Sequence, residues 1–240
     1  MTRHKYLVWA AICCCAVAAR AQGTFQNLGF ESATLVPISG TSSSPVQFAP
    51  AFPGWTGSVG GVQVSAALYN NFFLDSSGIG IIDNGVPFFG SVIQGTYTAI
   101  LQAGLTSGPG GTLQPADTTL SQTGLVPSAA QSLLFRADVY ANAGDFVVTL
   151  GGQAVSLFPL VRGTNYTLYG ADIRAWAGQT AELDFTVIAQ RPHMDVYTVL
   201  LDSIQFSGIA IPEPGMISLS ILSALALAWA LRGKWPSRPS

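Results

Sequence analysis

The sequence predicts an all-β protein, an antiparallel β-sandwich, and three observations carry that expectation. First, AELDFTVI at 181–188 alternates Ala181, Leu183, Phe185 and Val187 against Glu182, Asp184 and Thr186. That two-residue period belongs to a strand with one face in a core and the other in water. Second, five more stretches share the composition: SLLFRADVY (132–140), DFVVTLGG (145–152), NYTLYGAD (165–172), GTYTAILQ (95–102) and VYTVLLDSIQF (196–206). Each is rich in Val, Leu, Phe, Tyr or Thr and bounded by Gly, Asn, Asp or Pro, the residues that end strands and make turns. Third, no long stretch before residue 215 carries the 3.6-residue spacing of an amphipathic helix, so helices in the body of the chain should be short. Regularly spaced short strands with turn signals between them point to a sandwich.

The chain has 240 residues, 49% of them hydrophobic and only 9% charged, which suits one domain with targeting segments at its ends. It opens MTRHKYLVWAAICCCAVAARAQ, with Arg3, His4 and Lys5 ahead of an apolar run from Tyr6 to Ala19 and small residues Ala19 and Ala21 flanking Arg20. Residues 1–21 therefore read as the helix of a secretory signal peptide, cut by signal peptidase between Ala21 and Gln22; the run is short for a membrane span. All three cysteines, Cys13, Cys14 and Cys15, fall inside this leader, so the mature chain has no thiol, disulfide or cysteine chemistry. Ile12 ahead of Cys13 argues against a lipidated cysteine, which takes a small residue there.

Removing the ends changes the charge. Between Gln22 and Ile211 the cations are Arg136, Arg162, Arg174 and Arg191, against eleven acids, leaving about −7 where the whole chain has −2. A surface of that sign repels phosphate backbones, which excludes nucleic acid as a partner. Catalytic residues are scarce. His193, in QRPHMD, is the one histidine after the leader, and no G-x-S-x-G elbow supplies a nucleophile. Paired carboxylates for glycoside hydrolysis stay open as a distant alternative, although Asp138, Asp145, Asp172, Glu182 and Asp184 suit solvated faces or turns. The sequence thus predicts no enzyme.

The amino-terminal half reads as looser, with PISGTSSSP (37–45) and LTSGPGGTLQPAD (105–117) as polar loops inside one domain spanning 22–210. The paired phenylalanines of NNFFLD (70–75) and VPFFG (86–90) sit beside turn residues, either as core corners or as exposed platforms. Residues 211–240 form a separate segment. Pro212-Glu213-Pro214 neither continues a strand nor opens a helix, an apolar helix follows over about 215–231, and Arg232, Lys234 and Arg238 make the tail 232–240 basic. Such a helix rises roughly 25 Å, enough to span a bilayer with its cations snorkelling, and the cations hold the tail in the cytoplasm with the domain outside.

This ending resembles the PEP-CTERM sorting signal of Gram-negative bacteria that make extracellular polysaccharide: Pro-Glu-Pro, a transmembrane helix and a short basic tail. The resemblance implies an exosortase, a membrane-embedded cysteine transpeptidase, as partner. It also implies cleavage near Pro212–Pro214, and delivery to the envelope, outer surface or extracellular matrix, with the C-terminal helix as membrane anchor before processing.

A second resemblance covers about 24–208. NLGFES (27–32), PGW (53–55), TLSQTGLVPSAAQSLLFRADVY (119–140) and VLLDSIQF (199–206) are similar to the galactose-binding-like jelly roll of bacterial carbohydrate-binding modules. It implies a jelly roll with Trp55 in the core and a structural calcium held between Glu31 and Asp202; the alternative for those two residues is a pair of solvated strand-end acids. Sugar binding needs an aromatic face beside polar groups, and Trp176 with Arg174, on the RAWAGQ turn, are the candidates, with Tyr69, Phe73 and Phe89 behind. The expected function is a sorted structural or adhesive sandwich, the alternative a lectin-like module that binds exopolysaccharide.

Overall fold

In the computed structural model residues 22–39, 45–71, 75–84, 92–140, 145–189 and 196–211 are described. They fold into two β-sheets facing each other across one core, as the alternation requires. The leader 1–21 and the segment from Pro212 onward lie outside the described residues, as do Phe73, Phe89 and His193. Among the described residues no helix is long and apolar enough to cross a membrane.

In chain order the strands are β1 (Pro45–Gln47), β2 (Thr56–Val59), β3 (Val62–Gln63), β4 (Ala66–Tyr69), β5 (Gly78–Ile82), β6 (Thr98–Ser107), β7 (Leu113–Ala116), β8 (Thr118–Leu125), β9 (Ser132–Tyr140), β10 (Phe146–Leu150), β11 (Gln153–Ala154), β12 (Phe158–Arg162), β13 (Thr167–Asp172), β14 (Thr180–Val187) and β15 (Tyr197–Ser207). A one-turn helix, α1 (Phe48–Ala51), and two 3₁₀ turns complete them. The larger sheet runs β1-β4-β5-β6-β15-β9-β13-β12 with β7 beside β6, and the smaller runs β11-β10-β14-β8-β2-β3. Pairing is antiparallel through both centres, from Thr180↔Leu125 to Val187↔Thr118 between β14 and β8 and from Thr167↔Ala137 to Asp172↔Ser132 between β13 and β9. β4 and β5 pair in parallel.

All six stretches singled out for alternation are strands. In β14, Ala181, Leu183, Phe185 and Val187 are buried while Glu182 is exposed. From the facing sheet, β9 contributes Leu133, Phe135 and Ala137, and β15 contributes Val199, Leu201, Ile204 and Phe206. The ring of Phe135 meets Phe185 edge-on at 5.2 Å, and Phe185 lies 6.3 Å from Trp55, so one aromatic chain joins the two sheets through the middle of the core. Trp55 is buried there, as the jelly-roll resemblance implies. At Gly57 in β2 a side chain would meet the Phe48 ring and Ile79 at 2.5 Å, so the backbone itself forms that wall of the core.

Two expectations are corrected. The stretch 105–117 is no loop: β6 runs on to Ser107, turns through Pro109–Gly111 and returns as β7, pairing Ser107 with Leu113 and Gly104 with Ala116. Its Gly residues belong to the turn of that hairpin, where Gly110 and Gly111 take φ of +74° and +77°. Nor is the amino-terminal half loose, since it supplies β1 to β5 and α1.

β15 changes phase along its length. Val199 and Leu201 face the core at odd positions, Ile204 and Phe206 at even ones. The switch is a bulge, in which Asp202 pairs with Arg136 and Gln205 with Leu134, giving β15 one residue more than β9, with Ser203 at φ +52°. Leu200, on the other face, joins Ile82 and Ile100 in a smaller apolar cluster.

Phe135→Ala should cost about 3–5 kcal/mol of unfolding free energy, because it empties the aromatic contact between the sheets. Denaturant titration of the purified protein measures it.

Candidate functional site

The amino-terminal segment reaches the middle of the molecule through hydrogen bonds to both sheets. Gln26 N donates to Gln122 Oε1 at 2.5 Å and Gln122 Nε2 returns to Gln26 O at 3.0 Å, on β8 of the smaller sheet. On β15 of the larger sheet, Phe206 N donates to Gln22 Oε1 at 3.0 Å and Ile204 N to Leu28 O at 2.9 Å. Phe30 then inserts its ring into the core against Phe52 and Trp55, which delivers Glu31 to the end of the sandwich.

There Glu31 and Asp202 grip one loop from two sides. Glu31, though exposed, accepts Thr96 N at 2.9 Å and Tyr97 N at 3.2 Å through Oε1, and Thr96 N at 3.0 Å through Oε2. Gly95 sits between them at φ +68°, and a Cβ there would lie 2.2 Å from Glu31 Oε1, so this position needs glycine twice over. Asp202, at the bulge of β15, is 1% exposed. Its Oδ2 accepts Gln94 N at 3.0 Å and Thr98 Oγ1 at 2.8 Å, and its Oδ1 accepts Ser203 N at 2.6 Å. Asp202 is thus no solvated strand-end acid; neither is Asp145, buried to 1% exposure beside β10.

Both carboxylates line one cavity of about 550 Å³, together with Arg136, Gln22, Gln94 and Gln205. Burial pushes the Asp202 carboxyl up to about 6, although the hydrogen bonds from Thr98, Gln94 and Ser203 pull the other way. The pair fits a calcium ion in donor chemistry, since both groups offer hard oxygens and Glu31 Oε2 accepts only one hydrogen bond. Glu31 and Asp202 are therefore the residues that would hold it. Among the described residues no third Asp, Glu, His or Cys joins them.

Trp176 and Arg174 share the 3₁₀ turn Arg174–Trp176. Trp176 is half-buried and packs on the main core, with its Nε1 edge close over Gly151, so the ring caps the core end. Arg174 is bound to Asp172 by Nε at 3.0 Å and Nη2 at 2.5 Å, which holds the Asp172 carboxyl below its usual range. Tyr69 donates its hydroxyl to Asp83 at 2.7 Å, and that bond pushes the phenol up to about 12. Gln22, beside the expected cleavage point, is described; Ala19, Ala21, Pro212, Glu213, Pro214, Arg232, Lys234 and Arg238 are not.

Sequence reasoning missed Arg136 and the three glutamines. The signal for Arg136 was present, the one cation on β9, at an outward position between Leu134 and Asp138. The glutamines come from three distant parts of the chain and carry no such mark.

No family model matches this chain. No curated protein matches it either. Among solved structures it is similar to the K2 cleaved adhesin domain of Lys-gingipain, at 18% identity and a TM-score of 0.43, covering 75% of this chain and 96% of that one. It is also similar to the enzymatically active domain of tailspike protein 4 of bacteriophage CBA120, at 17% identity and a TM-score of 0.37, covering 65% of this chain and 19% of that one. Likeness this distant says nothing of what the chain binds or does.

A carboxyl raised in the folded state gives its stability at low pH. Asp202 contributes most below about 4, where its unfolded form is also protonated, and the contribution is lost as pH rises through about 6. Wild type should therefore lose roughly 3 kcal/mol relative to Asp202→Asn between those limits, read from paired denaturation curves across pH in EDTA. A difference that stays flat with pH overturns this.

Proposed function

We propose that this chain is an exported, exosortase-sorted protein of the cell envelope or extracellular matrix. Its sandwich, wound as a jelly roll, is structural or adhesive and carries no catalytic centre. The observation that carries this reading is where the compact unit stops. It ends at Ile209, three residues ahead of Pro212, and the hydrogen bonds that finish it run from Gln131 Nε2 to Gly208 O and from Ser132 Oγ to Ile209 O, both at 2.7 Å. Cleavage around Pro212, Glu213 and Pro214 would spare all of these bonds. The signal peptide and signal peptidase open the same route, and the apolar helix with its tail of Arg232, Lys234 and Arg238 holds the precursor in the membrane until exosortase acts.

Calcium belongs to this reading as a structural ion at Glu31 and Asp202. Its charge would offset the cost of burying the Asp202 carboxylate. A second reading, a lectin-like module that binds exopolysaccharide, is favoured by the polar cavity beside these residues rather than by Trp176 and Arg174, whose turn is closed down on the core and on Asp172.

Deleting 212–240 should move the protein from the membrane fraction into the medium; truncated protein that stays with the membrane overturns the anchoring account. In millimolar calcium the purified protein should melt several degrees higher than in EDTA. Equal melting temperatures would mean that the amide hydrogen bonds close the domain unaided.

A further inference from the structure

The cavity beside Glu31 and Asp202 holds a charge that the fold does not use up. Arg136 projects from the outward face of β9, where its guanidinium lies 5.1 Å from the centre of the Tyr166 ring and Nη1 donates to Ser203 Oγ at 3.2 Å. Among the described residues it forms no ion pair, whereas Arg174, on the same domain, is locked to Asp172. A domain with eleven acids and four arginines would gain from pairing each cation, yet this one is propped by a ring and a hydroxyl with its remaining donors on the cavity.

The rest of the lining defines what would meet them. Gln94 Oε1 accepts from Ser203 Oγ at 2.7 Å, leaving its amide donor, and the Gln205 side chain stands exposed at the rim with no hydrogen bond among the described residues. Glu31 Oε2 keeps acceptor capacity. Leu134 and Leu168 supply an apolar floor. An anion would be drawn to Arg136 but opposed by two carboxylates, and a cation would meet the reverse. A ligand whose groups each donate and accept satisfies both walls, and its C–H faces suit the leucines. The volume, about 550 Å³, falls within the range of small-molecule sites.

We propose that this cavity binds the hydroxyl groups of a neutral sugar residue, with Arg136 and Gln94 donating, Glu31 accepting and Leu134 and Leu168 beneath the ring. The proposal rests on the carbohydrate-binding reading and moves its site away from Trp176. The sugar can be free or part of a polysaccharide, and the two sources are separated by measuring both.

The test uses the full chain purified in mild detergent, run in parallel in calcium and in EDTA because Glu31 is also a proposed ligand of the ion, screened against neutral polysaccharides and titrated with the component free hexoses. Arg136→Ala should weaken capture about tenfold or more, as expected for loss of hydrogen bonds from a charged donor. Gln205→Trp, a rim substitution that breaks no hydrogen bond, should block it sterically while leaving the melting temperature unchanged. Trp176→Ala should leave capture intact. Hexose binding lost in both cavity variants supports a free-sugar site, and polysaccharide capture lost in both without hexose binding supports a chain site. Capture abolished by Trp176→Ala yet untouched by both cavity variants keeps the carbohydrate-binding reading and overturns this site. No capture of any neutral glycan overturns both.

Discussion

The structure depends on the amino-terminal segment 22–31 being hydrogen-bonded to both sheets at once. Two facing sheets in a sandwich are otherwise joined by side-chain packing and by connections that can splay. Here Gln26 and Gln122 exchange two hydrogen bonds on the smaller sheet, while Gln22 and Leu28 receive amides of β15 on the larger. Phe25, between them, lies 4.7 Å from Phe206 and close enough to β8 that Gly124 has no room for a side chain. The segment is thus a strap across the end of the core. Its polar groups are satisfied where burial would otherwise cost several kcal/mol.

The clasp follows from that strap. Once Phe30 is seated, Glu31 can only point at the 93–98 loop, and the same loop covers Asp202. A carboxylate at 1% exposure is tolerated because backbone amides surround it, and the cost that remains shows as its raised affinity for a proton. The bulge at Ser203 makes this possible. It lets β15 keep apolar residues on the core face on both sides of a position where an acid faces outward. The buried acid and the continuous core face thus share one irregularity of the backbone.

Most of the fold was legible because burial imposes a period. Ala181, Leu183, Phe185 and Val187 announce β14 wherever it lies in the sheet. The 105–117 hairpin was not legible, because β7 is a short strand with Leu113 63% exposed and a proline inside it, so its alternation carries no apolar signal. At the site, Glu31 and Asp202 could be paired in advance only through a resemblance; nothing in the spacing of residues 31 and 202 brings them together. Gln22, Gln94 and Gln205 were invisible for a related reason. A glutamine has no periodicity or charge to mark it, and it gains meaning only from the neighbours that the fold gives it. Trp176 shows the converse, since an aromatic on a turn gives no sign in the sequence of the core end that it half covers.

The position of β15 bears on how the chain is made. It is the last strand in sequence, yet it lies between β6 and β9 in the larger sheet, and its Phe206 amide bonds to Gln22, 184 residues earlier. Until residue 206 has emerged, the two halves of that sheet have no common edge and the strap has nothing to tie to. The larger sheet of a chain delivered from its amino end therefore stays open until this last strand arrives. It then closes late, in a step dominated by non-local pairing and correspondingly slow.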